Sequence, residues 1–304
     1  MISGEPIHGS ATAAVEVWLL VEYRARWEAD IADCAFPPGV GELLQELQKK
    51  HRALRLQLVR QFEREGPLAV YVIINGPLRG VHRFEIEEHE DLLALDFDGL
   101  LSGELTTIVG ARPIYLVCTH GLRDKCCSMY GMPFYRALTE AEPEADVWQS
   151  SHQGGHRFAA NVIYLPWGVH YGRLDPGEAQ GMVEAHARGE LYGLGRYRGQ
   201  TRYSAPVQTA EAWLREQEQI FGLDGIELVD ERPADRGQVT ARFRLLDGTI
   251  HKVTVAPRRG KLARLASCGT GTAEPPRWYE MVRHEARMPR AGNPDSTPGG
   301  GPGG

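Results

Sequence analysis

The chain has 304 residues, of which 42% are hydrophobic and 24% are charged, and its formal net charge is −6. These values are typical of soluble globular proteins, and they exclude an intrinsically disordered or fibrous body. The net negative charge gives no overall attraction to nucleic acid or to anionic membranes, although a local basic patch at residues 196–202 offers a surface for an acidic partner.

The amino-terminal sequence has no basic leader followed by an apolar run, and no uncharged stretch approaches the ~20 residues that span a bilayer. We therefore expect a cytoplasmic protein. Five cysteines stand at positions 34, 118, 126, 127 and 268, and two of them are adjacent. An odd number of thiols at this spacing does not indicate a disulfide framework, so reduced thiols or metal ligands are predicted.

The first part of the chain alternates strand and helix patterns. An apolar run at 15–23 favours a strand, and leucines at helical spacing predict a helix over 40–51. Three short strand-like runs follow at 54–59, 68–74 and 81–88. This order predicts an open α/β layer.

The second part begins with a buried strand over 114–117 that ends at Cys118. A helix over 133–142 is predicted next, with proline in its first turn, and is followed by a strand over 158–165 and a helix over 176–188. This element order is the same as in the first part, but the two parts do not resemble each other in sequence. An internal repeat is therefore one interpretation.

The third part combines a helix with paired strands. Residues 211–221 have the spacing of an amphipathic helix, and residues 239–255 alternate around Asp247-Gly248, which is a strong hairpin signal. The final stretch, 289–304, is dominated by glycine, proline and small polar residues. We expect it to be a disordered tail, because it cannot bury enough surface to offset the entropy of ordering.

Thiols and imidazoles cluster on two predicted loops. Cys118 ends a strand, with Cys126 and Cys127 on the loop that follows, and His152 and His156 enclose the sequence Gln-Gly-Gly. The two glycines favour a turn over a helix between the histidines. Thiolate and imidazole both bind zinc, iron and copper, and two loops from one sheet can converge. The residues therefore predict a four-ligand metal site.

Three chemistries compete for these loops. A phosphate loop with a nucleophilic thiolate needs five residues between cysteine and arginine, whereas four separate Cys118 from Arg123. A structural zinc site fits the ligand types, but the cysteine spacing is wider than usual. A [2Fe-2S] cluster with cysteines on one iron and histidines on the other also fits. Cys118-Thr-His120 has the spacing of one Rieske loop, but the second Rieske motif does not follow.

Several motifs in order resemble those of the sucrase/ferredoxin-like family. They are Cys-Thr-His-Gly-Leu-Arg-Asp-Lys-Cys-Cys from residue 118, Trp-Gln-Ser-Ser-His-Gln-Gly-Gly-His-Arg-Phe-Ala-Ala-Asn from residue 148, Leu165-Pro166, and Tyr-Gly-Arg-Leu from residue 171. The resemblance extends from Trp18 to Cys268. One departure is at 22–27, where Glu-Tyr-Arg-Ala-Arg-Trp replaces the expected Gly-Pro-Trp-Gly type of sequence, which leaves the role of this loop open.

The element order and the resemblance together predict a fold class and a division of the chain, and the thioredoxin-like sheet is what the resemblance implies. The fold is an α/β, thioredoxin-like open sheet with flanking helices, plus a small C-terminal α+β unit. The implied segments are an N-terminal α/β (thioredoxin-like) segment, a thioredoxin-like ferredoxin segment with the cluster site, a helix and β-hairpin unit, and a disordered tail, at residues 1–110, 111–204, 205–288 and 289–304.

The resemblance also implies the ligands of a [2Fe-2S] cluster. Two cysteines nine positions apart select Cys118 and Cys127, with Cys126 as an alternative ligand, and the histidine pair is His152 and His156. The predicted function is a one-electron carrier and not a substrate-converting enzyme. Its partners would be redox donor and acceptor proteins, without nucleic acid or membrane. A zinc-stabilised module or a thiol-dependent reductase on the same loops is the alternative.

Imidazole ligands remove negative charge from such a cluster, so the resemblance also implies a moderately high, pH-dependent potential. Arg123, Asp124 and Arg157 stand beside the ligands in sequence and either tune the charge of the site or form solvated ion pairs. His120 is either a hydrogen-bond donor behind the ligands or an exposed side chain. We assign no role to Cys34 or Cys268 beyond that of buried thiols.

Overall fold

A computed structural model of the protein describes residues 5–75, 79–102, 112–265 and 273–288. Cys268 and the predicted tail at 289–304 lie outside the described residues. Within these ranges no helix combines the length and apolar character needed to cross a bilayer.

The first half of the main sheet is built from apolar strands around one crossover helix. Its elements are β1 (Val17–Glu22), α1 (Val40–Lys50), β2 (Leu54–Arg60), β3 (Leu68–Ile74) and β4 (Gly80–Ile86). β1 pairs in parallel with β2 and antiparallel with β3, which pairs antiparallel with β4. A short helix, α2 (Phe97–Ser102), follows.

The second half repeats this topology. Its elements are β5 (Ile114–Cys118), α3 (Lys125–Ala141), β6 (Asp146–Ser150), β7 (Val162–Leu165) and β8 (Val169–Tyr171). β5 pairs in parallel with β6 and antiparallel with β7, which pairs antiparallel with β8. Each half therefore has the strand order of a thioredoxin-like fold, and the recurrent element order of the sequence corresponds to a structural repeat.

The two halves form one nine-stranded sheet, which also contains β9 (Tyr197–Gln200) after helix α4 (Ala179–Ala187). The strand order is β4-β3-β1-β2-β6-β5-β7-β8-β9. β2 and β6 join the halves by antiparallel pairing of their last residues, Val59 with Ser150 and Arg60 with Gln149. The ends of β2 and β6 therefore meet at a seam, and the chain segments that follow both strands lie near it.

The C-terminal unit packs helix α5 (Ala205–Glu218) on an antiparallel sheet. The sheet has the order β10-β11-β12-β15, from the strands Ile226–Pro233, Val239–Leu245, Ile250–Arg259 and Arg277–Arg287. A small ribbon joins β13 (Arg264–Leu265) to β14 (Ala273–Glu274). β11 and β12 form the hairpin predicted around Asp247-Gly248, and Gly248 has φ +83°.

Two predicted helix boundaries are wrong. α5 begins at Ala205 and not at residue 211, because Pro206 occupies the first turn, where its missing N–H costs nothing. α3 begins at Lys125, so Pro133 lies inside the helix and not in its first turn. Pro133 removes one helical hydrogen bond. The helix is nevertheless held together by five buried residues of α3 that pack against the sheet: Cys127, Gly131, Phe134, Tyr135 and Leu138.

Candidate metal centre

Cys118 is the last residue of β5, a strand in which all five residues are buried. Its backbone N–H donates to the carbonyl of Asn161 at 3.0 Å, so the strand end is fixed by β-type pairing on that side. On the other side Cys118 is level with Ser150, the last residue of β6. The chain after β6 therefore begins next to the Cys118 thiol.

Cys127 lies in the first turn of α3 and not on the predicted loop. Asp124 precedes the helix, and its carbonyl accepts a hydrogen bond from the Cys127 N–H at 2.9 Å. The helix approaches the strand closely at Gly131, where a Cβ atom would overlap the carbonyl oxygen of Cys118. This packing directs the buried Cys127 side chain to the strand end, whereas Cys126 is partly exposed.

The segment with the two histidines is a turn, as its glycines indicate. Gly154 and Gly155 have φ of +86° and +71°, values that favour glycine, and His156 begins a single turn of 3-10 helix. The carbonyl of Gly154 accepts from Arg198 at 3.1 Å, and that of Gly155 accepts from Asn161 at 3.0 Å. Buried side chains therefore hold the turn in one conformation.

One ligand atom each of Cys118, Cys127 and His152 lies within 4.8 Å of the others. The distance from Cys127 Sγ to His152 Nδ1 is 3.8 Å. His156 is buried beside this group but outside that distance. The carboxylate of Asp124 lies between the two rings, 3.6 Å from His152 Nδ1 and 3.7 Å from His156 Nδ1. Two sulfur donors and one imidazole thus converge, and the buried Asp124 carboxylate lies between that imidazole and the second one.

The two thiols are electrostatically unequal. A hydrogen bond from Cys127 lowers the pKa of Cys118 well below its ordinary value, and His152 lowers it further while burial opposes both. The same hydrogen bond raises the pKa of Cys127, together with burial. One thiolate is therefore stabilised at the strand end, and a cation is needed before both thiols ionise together.

His120 is buried and is not an exposed side chain. Its Nδ1 accepts a hydrogen bond from the backbone N–H of His152 at 3.2 Å, and its ring packs edge-on against Trp27 at 5.6 Å. Burial is the main cause that lowers the pKa of His120, so the ring is neutral at pH 7. Trp27 belongs to the loop at 22–27 whose role the sequence left open, and this loop therefore covers one side of the site.

Two arginines from outside the cysteine and histidine motifs support the turn. Arg198 donates to Asn161 Oδ1 and to His170 Nε2, both at 2.8 Å, and also to the carbonyl oxygen of Ser10. Arg55 donates to the His152 carbonyl at 3.1 Å. Among the residues that the structure describes, no carboxylate lies within 4 Å of either guanidinium. Arg198 is 1% exposed, so the prediction of a surface patch at 196–202 is wrong for the middle one of its three arginines.

The positive charge of Arg198 is partly offset by the site itself. Burial and the like charge of Arg157 lower the pKa of Arg198 to about 9, whereas negative charge on Cys118 and Cys127 raises it. Cys118 similarly opposes the lowering of the pKa of Arg55 by burial. Anionic sulfur at the strand end is therefore the charge that complements these two cations.

The remaining residues singled out in the sequence have structural roles. Arg157 pairs with Glu5 at 2.6 Å, and the exposed Arg123 reaches the carbonyl of Ala29 at 3.4 Å. Cys34 is a buried thiol that accepts from the Glu28 N–H at 3.4 Å. Sequence reasoning missed Arg55 and Arg198 because arginines are usually exposed; the signal for Arg198 is its place between Tyr197 and Gly199 on a short strand.

The family described as Sucrase/ferredoxin-like matches residues 7–199. The protein named Altered inheritance of mitochondria protein 32 is 35% identical over 95 residues in Meyerozyma guilliermondii, covering 28% of this chain and 34% of the relative. In Clavispora lusitaniae it is 37% identical over 98 residues, covering 30% and 36%. The chain thus spans about a third of the length of the curated relatives it matches.

A solved structure of a thioredoxin-like [2Fe-2S] ferredoxin from Aquifex aeolicus also matches. It has 17% sequence identity and a TM-score of 0.26, and the match covers 29% of this chain and 90% of that one.

Proposed function

Because this chain belongs to the sucrase/ferredoxin-like family, we propose that it is a [2Fe-2S] protein that carries one electron at a time. The observation that carries the proposal is the convergence of Cys118, Cys127 and His152 within 4.8 Å at a buried strand end. Two thiols and two imidazoles are a donor set that such a cluster accepts, with one kind of donor on each iron. The donors therefore fit the group.

In this proposal Cys118 and Cys127 hold one iron, and His152 and His156 hold the other. The cluster would supply a centre that takes up and releases one electron. Asp124, whose carboxylate lies 3.6 Å from His152 Nδ1 and 3.7 Å from His156 Nδ1, would help to hold the orientation of both rings. The buried guanidinium of Arg198 adds positive charge behind the site and favours the reduced form. Arg198 and Asn161 hold the turn, so the ligands need little rearrangement.

A zinc-stabilised module is the second candidate, because the same donor set suits zinc. A thiol-dependent reductase is less well supported. The side chains of Cys118 and Cys127 are 1% and 0% exposed, whereas a thiolate that attacks a substrate needs access to it. We further propose redox proteins as partners, without nucleic acid or membrane, and the cytoplasm as location, since free thiols suit a reducing compartment.

Anaerobic purification tests the proposal directly. We expect a coloured protein with about two irons and two acid-labile sulfides per chain, and a paramagnetic signal after reduction by one electron. Cys118→Ser and Cys127→Ser should each lose most of the iron. Cys126→Ser is the matched control, because it removes the adjacent, partly exposed thiol and should keep the cluster. A colourless protein with one zinc per chain would contradict the proposal and support the zinc module.

Exchange of a histidine for cysteine tests the ligand assignment. His152→Cys and His156→Cys should retain a cluster whose potential is lower by on the order of 100 mV, because a thiolate adds negative charge where the imidazole was neutral. Potentiometric titration followed by visible absorption gives the value. His51→Cys, at a partly exposed histidine directly after α1, should leave the potential unchanged. An unchanged potential in both ligand variants would remove the histidines from the ligand set.

A further inference from the structure

A second group of potential ligands lies in the C-terminal unit. Glu218 is the last residue of α5, His251 is on β12, and His284 is on β15. One ligand atom of each lies within 4.8 Å of the other two. His251 Nδ1 is 3.0 Å from His284 Nε2 and 3.9 Å from Glu218 Oε1. Three different elements therefore direct a nitrogen or oxygen donor to one point.

The fold keeps these donors together. Val253 is level with His284 on the neighbouring strand, so His251 and His284 are diagonal neighbours on the face of the sheet that packs against α5. Trp213 of α5 lies against the His284 ring at 4.9 Å, which limits its rotation. The two rings are close enough to share one proton. Two ligands on a tetrahedral zinc ion are about 3.3 Å apart, so a small ring rotation suffices to bind one.

The charges at this point favour a cation. Burial is the main cause that lowers the pKa of His251, so the ring is neutral near pH 7 and can act as a ligand. Glu218 and Asp247 supply negative charge that opposes this lowering, while His284 adds to it. Glu218 also stands at the carboxyl end of a helix, where the helix dipole is negative and a carboxylate is unfavourable without a cation.

We propose that Glu218, His251 and His284 form a second metal site, which binds one first-row divalent cation, with Zn²⁺ as the first choice. Two imidazoles and one carboxylate are a common set of three protein ligands for zinc, and water would complete the tetrahedron. Nitrogen donors exclude a preference for calcium or magnesium. The bound ion would link α5 to β12 and β15, and so stabilise the C-terminal unit. The site is independent of the proposed cluster.

Zinc binding by the full-length chain tests this proposal. To remove competition from the thiols, Cys118 and Cys127 are both changed to serine, and the protein is dialysed with zinc sulfate and then against metal-free buffer. We expect one zinc per chain and a raised melting temperature. Glu218→Gln, an exposed change that cannot unfold the core, should weaken binding by more than about tenfold, and His284→Ala should abolish it. His51→Ala, which removes a histidine 3.9 Å from Asp98, is the control.

The parent for this test is the chain with Cys118→Ser and Cys127→Ser. If His284→Ala and Glu218→Gln retained as much zinc as this parent, the proposal would be overturned. The absence of bound zinc in the parent would also overturn it. In the second case His251 and His284 form a hydrogen bond within the sheet and nothing more. Equal loss of zinc in His51→Ala would also overturn it, because binding would then be nonspecific.

Discussion

Replacement of Arg198 by methionine should lower the reduction potential of the proposed cluster by on the order of 50 mV. The guanidinium is buried, and among the described residues no carboxylate within 4 Å neutralises its charge. A unit charge several ångströms away in a medium of intermediate dielectric changes the energy of an added electron by about 1 kcal/mol, which corresponds to this shift. The reduced cluster carries one more negative charge than the oxidised cluster, so loss of the cation destabilises the reduced form more than the oxidised form. Potentiometric titration measures the effect.

Two further variants separate the charge of Arg198 from its hydrogen bonds. Arg198→Lys keeps the charge but cannot reproduce all the guanidinium hydrogen bonds, including those from Nη1 to Gly154 and Asn161. The cluster content should therefore fall, while the potential of the remaining cluster stays near that of the parent. Arg123→Met removes an exposed cation that water screens and should change neither. If the potential of Arg198→Met equalled that of the parent, the charge behind the turn would have no influence on the cluster.

Gly131→Ala should destabilise the chain by about 2 to 3 kcal/mol and strip most of the iron from it. Alanine is favoured over glycine inside a helix by ~1 kcal/mol, but here the new methyl group would overlap the Cys118 carbonyl. The methyl carbon is bonded directly to the Cα of residue 131 and the carbonyl belongs to the backbone of β5, so relief requires α3 to move away from β5. That movement separates Cys127 from Cys118. Chemical denaturation of the iron-free chain measures the packing cost, and iron analysis measures the loss of ligand geometry.

Gly41→Ala is the matched control for this substitution. Gly41 lies in the first turn of α1, and an added Cβ would meet its nearest neighbour, Phe36 Cβ, at 4.0 Å, which is ordinary contact. The variant should be as stable as the parent or slightly more stable, with full iron content. If Gly131→Ala matched it on both measurements, the close approach of α3 to β5 would not determine the position of Cys127.

The strands of the first half were predictable because they are buried and apolar, which leaves a clear pattern in the sequence. β6 received no predicted bounds, although the segment around Trp148 is strand-like, since Asp146–Ser150 is short and mixes polar with aromatic residues. The start of α3 was obscured because glycine and proline within a helix resemble a boundary. Tertiary contacts with the sheet override that local signal, and local patterns do not contain such contacts.

The candidate site was predictable as far as its ligand types, because cysteines and histidines beside glycines stand out in any sequence. The residues that support the ligands from behind were not predictable. Arg55 lies 63 residues from Cys118, and Arg198 lies 42 residues from His156, which are the nearest proposed ligands in sequence. Nothing in the sequence around Arg55 indicates burial beside thiols. The choice of Cys127 over Cys126 depends on the phase of a helix whose start the sequence misplaced.

The seam between β2 and β6 links occupancy of the site to the cohesion of the sheet. Beyond its two register pairs, side chains join the halves: Gln57 donates to the Ser151 carbonyl at 2.5 Å, and Arg55 donates to that of His152. These acceptors lie on the turn that carries the proposed ligands. A group bound there would hold the two repeats together. Binding of a group at the site and association of the two repeats are therefore linked equilibria, and each favours the other by the same free energy.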